Sequence, residues 1–409
     1  MKPKQVSAIL TVVATISLFS LLAISSGASA STQSGTTGPK IEKLCGPVSI
    51  GFARCFVQKL VNPSSWRGSH LRKPSPGSTS LSGYIPSELQ SAYSLGNASA
   101  NSGGTMTVAI VDAYSDPYLA SNLATYRNQF GLKSCSSGCL TIVNQSGGTK
   151  LPRANSGWGT EESLDVEMVS AICPNCHILV VEASSASFSN LGTAAKYAES
   201  HANVVSNSYG GSESSAELSY NSDYSSSNSV VVASSGDSGY GVEFPAAAPS
   251  VVSAGGTSLL QSSTTARGWS ETAWSGAGSG CSGYEAEPSW QPKTSYCSMR
   301  TVADVSAVAD PNTGVAIYDT YGQGGWIVVG GTSVASPLIS SVFALAGNNA
   351  ASLGSTAAAG LYASGASLYR VTSGSNGSCG NYLCNAGDSL STGYNGPTGN
   401  GTPNGTSAF

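Results

Sequence analysis

Histidine is nearly absent from this chain. Three occur in 409 residues, His70, His177 and His201. A hydrolase that activates a serine or cysteine through imidazole needs a histidine within hydrogen-bond reach of the nucleophile. His201 ends a helical pattern, "AAKYAESHAN", and His177 opens an apolar strand, "HILVVEA", positions where imidazole caps or packs. Charge is scarce as well: Asp, Glu, Lys and Arg make up 10% of the chain and sum to −4. That leaves no basic field for nucleic acid. Beyond residue 30 no apolar run is long enough to span a bilayer.

The first thirty residues, 1–30, account for part of this. Lys2 and Lys4 precede an apolar run broken by Thr and Ser, and Ala28-Ser29-Ala30 forms a small-residue cleavage site. Together they predict a secretory signal peptide removed after Ala30, and a secreted, extracellular product without stable membrane association. Export makes disulfides the default fate of the ten cysteines. They fall into close pairs: Cys45 with Cys55, Cys135 with Cys139, Cys173 with Cys176, Cys281 with Cys297, and Cys379 with Cys384. Local loops are the simplest pairing, although spacing alone does not prove connectivity. "CPNCH" at 173–177 also matches the C-x-x-C-H of haem attachment, and could join Cys135 and Cys139 around zinc. Its helix-to-strand setting favours a local disulfide. Residues 31–82, rich in Pro, Ser and basic side chains, read as a short leader or propeptide-like segment with one stapled loop.

From residue 83 to the end, at residue 409, the reading is a single α/β domain. "MTVAIVDA", "CLTIV", "HILVVEA", "NVVSNSYG" and "SVVVASSG" read as strands; "DPYLASNLATYRNQFG", "EESLDVEMVSAI" and "SNLGTAAKYAESHA" read as helices. Near-continuous β-branched runs between amphipathic helices imply a mostly parallel central sheet with helices on both faces. In such sheets chemistry gathers at the carboxyl ends of the strands. "SNSYGG" and "SSGDSGYG" both follow strands and are expected in the same cleft.

Two serines compete for the role of nucleophile. Gly236-Asp237-Ser238-Gly239 resembles the nucleophile loop of trypsin-like proteases, yet the matching base motif "AAHC" is missing. In "GGWIVVGGTSVASPLISSVFALAGN" a strand runs through Gly330-Gly331-Thr332 into a helix, with Pro337 in an early turn and Gly347 as the stop. Ser333 is thereby expected at the helix N-terminus, where free N–H groups and the helix dipole stabilise an oxyanion.

The run "GTSVASP" resembles the nucleophile segment shared by subtilisins and sedolisins, the serine-carboxyl peptidases. Subtilisins need an "HGTH"-like motif, which does not occur. Sedolisins carry instead a Glu and an Asp four apart on a helix, an Asp after a later strand and a serine in the "GTS" turn. Here "TEESLDVE" supplies Glu161 and Asp165, "SSGDSG" supplies Asp237, and Ser333 completes the set. "YIPSELQSAYSL", "VAIVDAY", "SNSYGG", "FPAAAPSVVSAGGTS" and "DVSAVADPNTG" extend the likeness. The resemblance implies a subtilisin-like three-layer fold and an endopeptidase working in acid through an acyl-enzyme on Ser333. It implies a protonated Asp237 donating to the oxyanion, and Ser208, Tyr209 and Gly210 offering main-chain bonds to substrate. A catalytically silent binding module on the same scaffold is the alternative; the expected partner in either case is a peptide or protein, bound by a monomer.

Helical spacing agrees with that implication. Positions 161 and 165 share a face that Met168 and Ile172 extend with apolar groups, so the acids are expected to point inward, with Glu162 off that face. Crowded, desolvated carboxylates share protons, leaving one as a base while the other holds it. Two departures from the family stand out. Its calcium site uses Asp in "DVT-G" and "WD-x-x-TG" segments, whereas "YRVTSG" and "YNGPTG" put Arg370 and Asn395 there, so no metal cofactor is expected. The leader is also shorter than the family's folded propeptide.

Overall fold

Valine and isoleucine runs build the core, because β-branched side chains lose little freedom on entering a sheet covered on both faces. The computed structural model describes residues 39–68, 81–135, 138–347, 353 and 357–409; the expected signal peptide and His70 lie outside the described residues. In chain order the strands are β1 (Ile41–Lys43), β2 (Arg54–Cys55), β3 (Gln58–Leu60), β4 (Thr107–Ala113), β5 (Leu140–Asn144), β6 (His177–Ala183), β7 (Val204–Asn207), β8 (Tyr209–Ser212) and β9 (Val230–Ser234). Then come β10 (Glu243–Phe244), β11 (Val252–Gln261), β12 (Trp269–Ala273), β13 (Gly280–Ala286), β14 (Met299–Val302), β15 (Val305–Val308), β16 (Val315–Asp319) and β17 (Gly325–Gly330). The helices are α1 (Pro86–Ala92), α2 (Gly96–Asn101), α3 (Leu119–Gln129), α4 (Ser156–Ile172), α5 (Phe188–Glu199), α6 (Thr332–Ala346) and α7 (Ala357–Ala363).

Eight strands form the central sheet, in the order β12-β11-β9-β7-β4-β6-β5 with β15 also on β11. Every pairing in it is parallel except that of β12 with β11. The alternation of strand and helix in the sequence predicts this sheet, and β6 coincides with "HILVVEA" residue for residue. α4 and α6 pack on each other and reach β4, while α5 covers β4 and β6.

Helices that are apolar all round end up buried, and α6 follows that rule: every residue from Thr332 to Leu345 is buried. α4 is buried from Trp158 to Ile172 although it carries Glu161, Glu162, Asp165 and Glu167. It also begins five residues before the predicted start, where Asn155 caps it by accepting the Trp158 N–H at 3.1 Å. The cysteines form the five local disulfides, so Cys173 and Cys176 of "CPNCH" bond to each other.

Residues 39–68 are woven into two smaller sheets. β1 pairs antiparallel with β3, and β3 continues onto β17 through Lys59 with Val329 and Gln58 with Gly330. Between them β2 pairs antiparallel with β8, Arg54 opposite Gly210 and Cys55 opposite Tyr209. The Cys45–Cys55 disulfide closes this loop at its base.

Candidate active site

Ser333 is the second residue of α6 and is fully buried. β17 delivers it through a turn that only glycine fits: Gly331 sits at φ +112°, and a Cβ there would overlap the Phe56 carbonyl oxygen and lie 2.7 Å from Asp237 Oδ2. The Ser333 hydroxyl donates to the Ser208 carbonyl oxygen at 3.3 Å. One turn on, Ser336 and Ser206 bond at 2.8 Å, tying α6 to β7.

Glu161 and Asp165, one turn apart on α4, are fully buried. Asp165 Oδ1 accepts the Ser208 hydroxyl at 2.8 Å, and Glu161 Oε2 accepts the backbone N–H of Val57 at 2.7 Å. Burial pushes the Glu161 carboxyl up to about 8, against the pull of the Ser333 hydroxyl and the Val57 amide. Asp165 is raised well above the usual carboxylate range, first by burial and next by the charge of Glu161. The charge of Glu161 thus opposes ionisation of Asp165, and the two titrate as a coupled pair.

A further acid joins this pair. Asp112, in β4, is fully buried with no hydrogen-bond partner on either oxygen. Burial, followed by the charges of Asp165, Glu161, Glu162 and Glu182, holds it protonated well above its ordinary range. The signal for it lay in "VAIVDAY", an acid inside an otherwise apolar buried strand. Glu162, expected off the buried face, is equally buried: its Oε2 accepts the Asp116 N–H at 2.9 Å. α4 is covered on every side, so a one-face reading of its pattern fails there.

Asp237 follows β9 and faces the start of α6. Its Oδ1 accepts both the N–H and the hydroxyl of Thr332 at 2.8 Å, and its Oδ2 accepts from Gln58 Nε2 at 2.7 Å. Burial raises it to about 7, with the two Thr332 donors and Gln58 pulling down. Ser238 is exposed and accepts from Arg54 Nη2 at 2.9 Å. His177 and His201 are both exposed, the latter stacked on Tyr197 with ring centroids 4.0 Å apart.

Of Ser208, Tyr209 and Gly210, expected from the sequence to meet a substrate, Ser208 touches Ser333 through its carbonyl. β8 is occupied on both halves: Tyr209 and Gly210 pair with β2, Gly211 and Ser212 with β10. Next to it residues of the 44–54 loop line a cleft of about 470 Å³ together with Tyr114, Asn155, Trp158 and Ala186.

A parallel α/β sheet that brings a "GTS" serine to a helix N-terminus, among buried carboxylates and away from any described histidine, defines a serine-carboxyl site of subtilisin-like architecture. Residues 143–387 match the model of the Subtilase family. The chain belongs to that family and, within it, to the sedolisins. It is similar to kumamolisin of Bacillus sp. (strain MN-32), 31% identical over 295 residues that cover 64% of this chain and 51% of that protein. Sedolisin of Pseudomonas sp. (strain 101) is 38% identical over 178 residues, 40% of this chain and 29% of that protein. The chain thus aligns with about half, or less, of the length of these relatives. The solved structure of Pseudomonas sedolisin, a serine-carboxyl proteinase complexed with two molecules of pseudo-iodotyrostatin, superposes with a TM-score of 0.66 at 26% identity. It covers 80% of this chain and 96% of that one.

Proposed function

We propose that the chain is a secreted serine-carboxyl endopeptidase that hydrolyses peptide bonds of protein substrates in acid. The observation that carries this reading is the convergence on one turn of Ser333, Ser208 bonded to both Ser333 and Asp165, and Asp237 bonded to Thr332. Ser333 Oγ attacks the substrate carbonyl carbon and its proton passes to Glu161, whose titration is coupled to that of Asp165 one helical turn away. A protonated Asp237 and the N–H groups at the start of α6 bind the oxyanion. Glu161 then protonates the leaving amine, and water resolves the ester by the same steps in reverse order. Ser208, Tyr209 and Gly210 offer main-chain bonds to an extended substrate. The reading is tested by digesting a peptide library near pH 4 with the wild type and two variants: Ser333→Ala should lose turnover with the fold intact, while Ser238→Ala should keep most of it. Full activity in Ser333→Ala would end the assignment.

Secretion is supported by the charged and apolar N-terminal pattern and by disulfides suited to an oxidising compartment. No described helix is long and apolar enough to cross a membrane. We take the working form to be a monomer with no nucleic-acid partner.

The family's calcium site does not fit the residues present. Arg370 Nη2 donates to the Thr392 carbonyl at 2.9 Å, placing a cation among the oxygens. Asn395 Oδ1 already accepts the Thr398 N–H at 3.1 Å and hydroxyl at 2.8 Å. A hard divalent ion finds no free carboxylate in that donor set, and the mechanism above draws on no metal.

A further inference from the structure

We propose that the hollow beside Arg127, at the amino ends of β4 and β6, binds an oxygen-bearing anion: a sulfate, phosphate or carboxylate, either free or carried on a saccharide. Ser208 and Asp237 follow the carboxyl ends of β7 and β9, so this is the opposite end of the same parallel sheet. The site is independent of the peptidase reading.

A buried charge without a counter-charge carries the proposal. Arg127, near the end of α3, is 2% exposed. Its guanidinium donates from Nε to the Lys133 carbonyl at 2.6 Å, from Nη1 to the Ser170 hydroxyl at 2.8 Å and from Nη2 to the Pro174 carbonyl at 2.7 Å. All three acceptors are neutral. Among the described residues Arg127 forms no ion pair, and no Asp or Glu of the chain lies outside them. Burial lowers its pKa and no acid offsets that. Arg300, buried as deeply, shows the contrast: Asp304 meets it at 2.6 Å. Charges withdrawn from water are held by an opposite charge or a ligand, because the desolvation cost is otherwise uncompensated. A guanidinium has five N–H groups in a planar fork that fits two oxygens of one anion, and the bonds above use only three.

The surroundings suit such a ligand. Arg127 lines a hollow of about 320 Å³ with Asn101, Ser102, Lys133, Asn175 and His177, and no acid lines it. Lys133 and His177 are exposed, while the amides and hydroxyl are groups that match the hydroxyls of a sugar. His177 also lines a second hollow of about 300 Å³, again without an acid, where Tyr197 and His201 stack. His201 Nδ1 is engaged by the Tyr197 carbonyl at 2.7 Å and the Ser200 hydroxyl at 2.9 Å, which leaves Nε2 for a ligand. An exposed imidazole is a cation in acid. Positive charge therefore runs from Arg127 to His201 on a chain whose acids outnumber its bases, and the second hollow has room for a ring whose charged group sits in the first.

The test uses the full chain at about pH 4 and constant ionic strength, with chloride as the balancing ion. Calorimetry measures binding of sodium sulfate, of a galacturonic acid tetramer and of an uncharged galactose tetramer; thermal unfolding gives Tm with and without sulfate. Three chains are compared: the wild type, Lys133→Gln/His177→Gln, which keeps Arg127 and its three bonds, and Lys150→Gln, which alters an exposed lysine outside both hollows. The wild type and Lys150→Gln should bind one sulfate per chain and gain in Tm. In the double variant binding should be about tenfold or more weaker. A galacturonate tetramer that binds more tightly than sulfate and competes with it assigns the anion to a saccharide; sulfate binding with no gain from the tetramer assigns it to a free ion. Absence of saturable binding by either anion overturns the site. So does binding that the double variant leaves unchanged, or equal binding of the uncharged tetramer.

Discussion

The Ser208 hydroxyl donates to Asp165 Oδ1 at 2.8 Å, while the carbonyl oxygen of the same residue accepts the Ser333 hydroxyl at 3.3 Å. One residue at the head of β8 thus touches the buried acid through its side chain and the serine through its backbone. The hydroxyl bond lowers an Asp165 carboxyl that burial and Glu161 raise. Ser208→Ala removes that bond and leaves the backbone carbonyl in place. Since a hydrogen bond to a charged group contributes about 1.5–3 kcal/mol, kcat should fall about tenfold or more while KM changes little, and the acid limb of the pH profile should move up. Steady-state kinetics across pH checks this; a rise in KM with kcat intact would assign Ser208 to substrate binding alone.

Stability should be greatest in acid. Burial raises Glu161, Glu199 and Glu217 to about 8, Asp237 to about 7 and Asp319 to about 6. In the unfolded chain such groups titrate near about 4. Between those limits the folded protein binds more protons than the unfolded one, so stability is full below about pH 4 and is lost as pH rises toward about 8. Thermal unfolding followed by circular dichroism should give a Tm that falls over that window. A Tm that climbs from acid to neutral would contradict the protonated state assigned to these acids.

Chelation should leave the protein unmoved. With the Arg370 guanidinium on the Thr392 carbonyl and Asn395 Oδ1 already accepting from Thr398, Tm should be the same with excess chelator and with added calcium. A chelator-induced fall reversed by calcium would show that the C-terminal loops retain an ion site.

Local pattern made much of this legible in the sequence. β4, β6 and β9 are runs of β-branched residues long enough to declare themselves, and the glycines before Thr332 and at Gly347 bracket α6. The five disulfides close short loops. Contacts between residues far apart left no such trace. β2 has two residues, and its pairing with β8 joins positions more than a hundred and fifty residues apart, Arg54 with Gly210; nothing in "GFARCF" states where that strand lies. The burial of Glu162 was hidden for a related reason. Helical periodicity identifies one inward face, whereas α4 lies against α1, α3, α6 and the sheet at once, so an acid on its other face is enclosed too. Asp112 was visible as a residue, but its coupling to Asp165 is a matter of neighbouring elements.

The dependence of kcat/KM on pH, measured for the wild type and for Asp237→Asn, tests the central claim most directly. At least one of the coupled pair Glu161 and Asp165 must be ionised for Ser333 to lose its proton, which requires substrate entry to bring Glu161 below the value of about 8 that burial gives it in the closed site, and Asp237, raised to about 7 by burial, must keep its own. The account predicts a wild-type profile with its maximum in acid and an alkaline limb set by Asp237. In Asp237→Asn, which donates without a titrating proton, activity should be lower and that limb flattened. A wild-type maximum at neutral or alkaline pH, with the limb unchanged in Asp237→Asn, would contradict a carboxylate mechanism on Ser333.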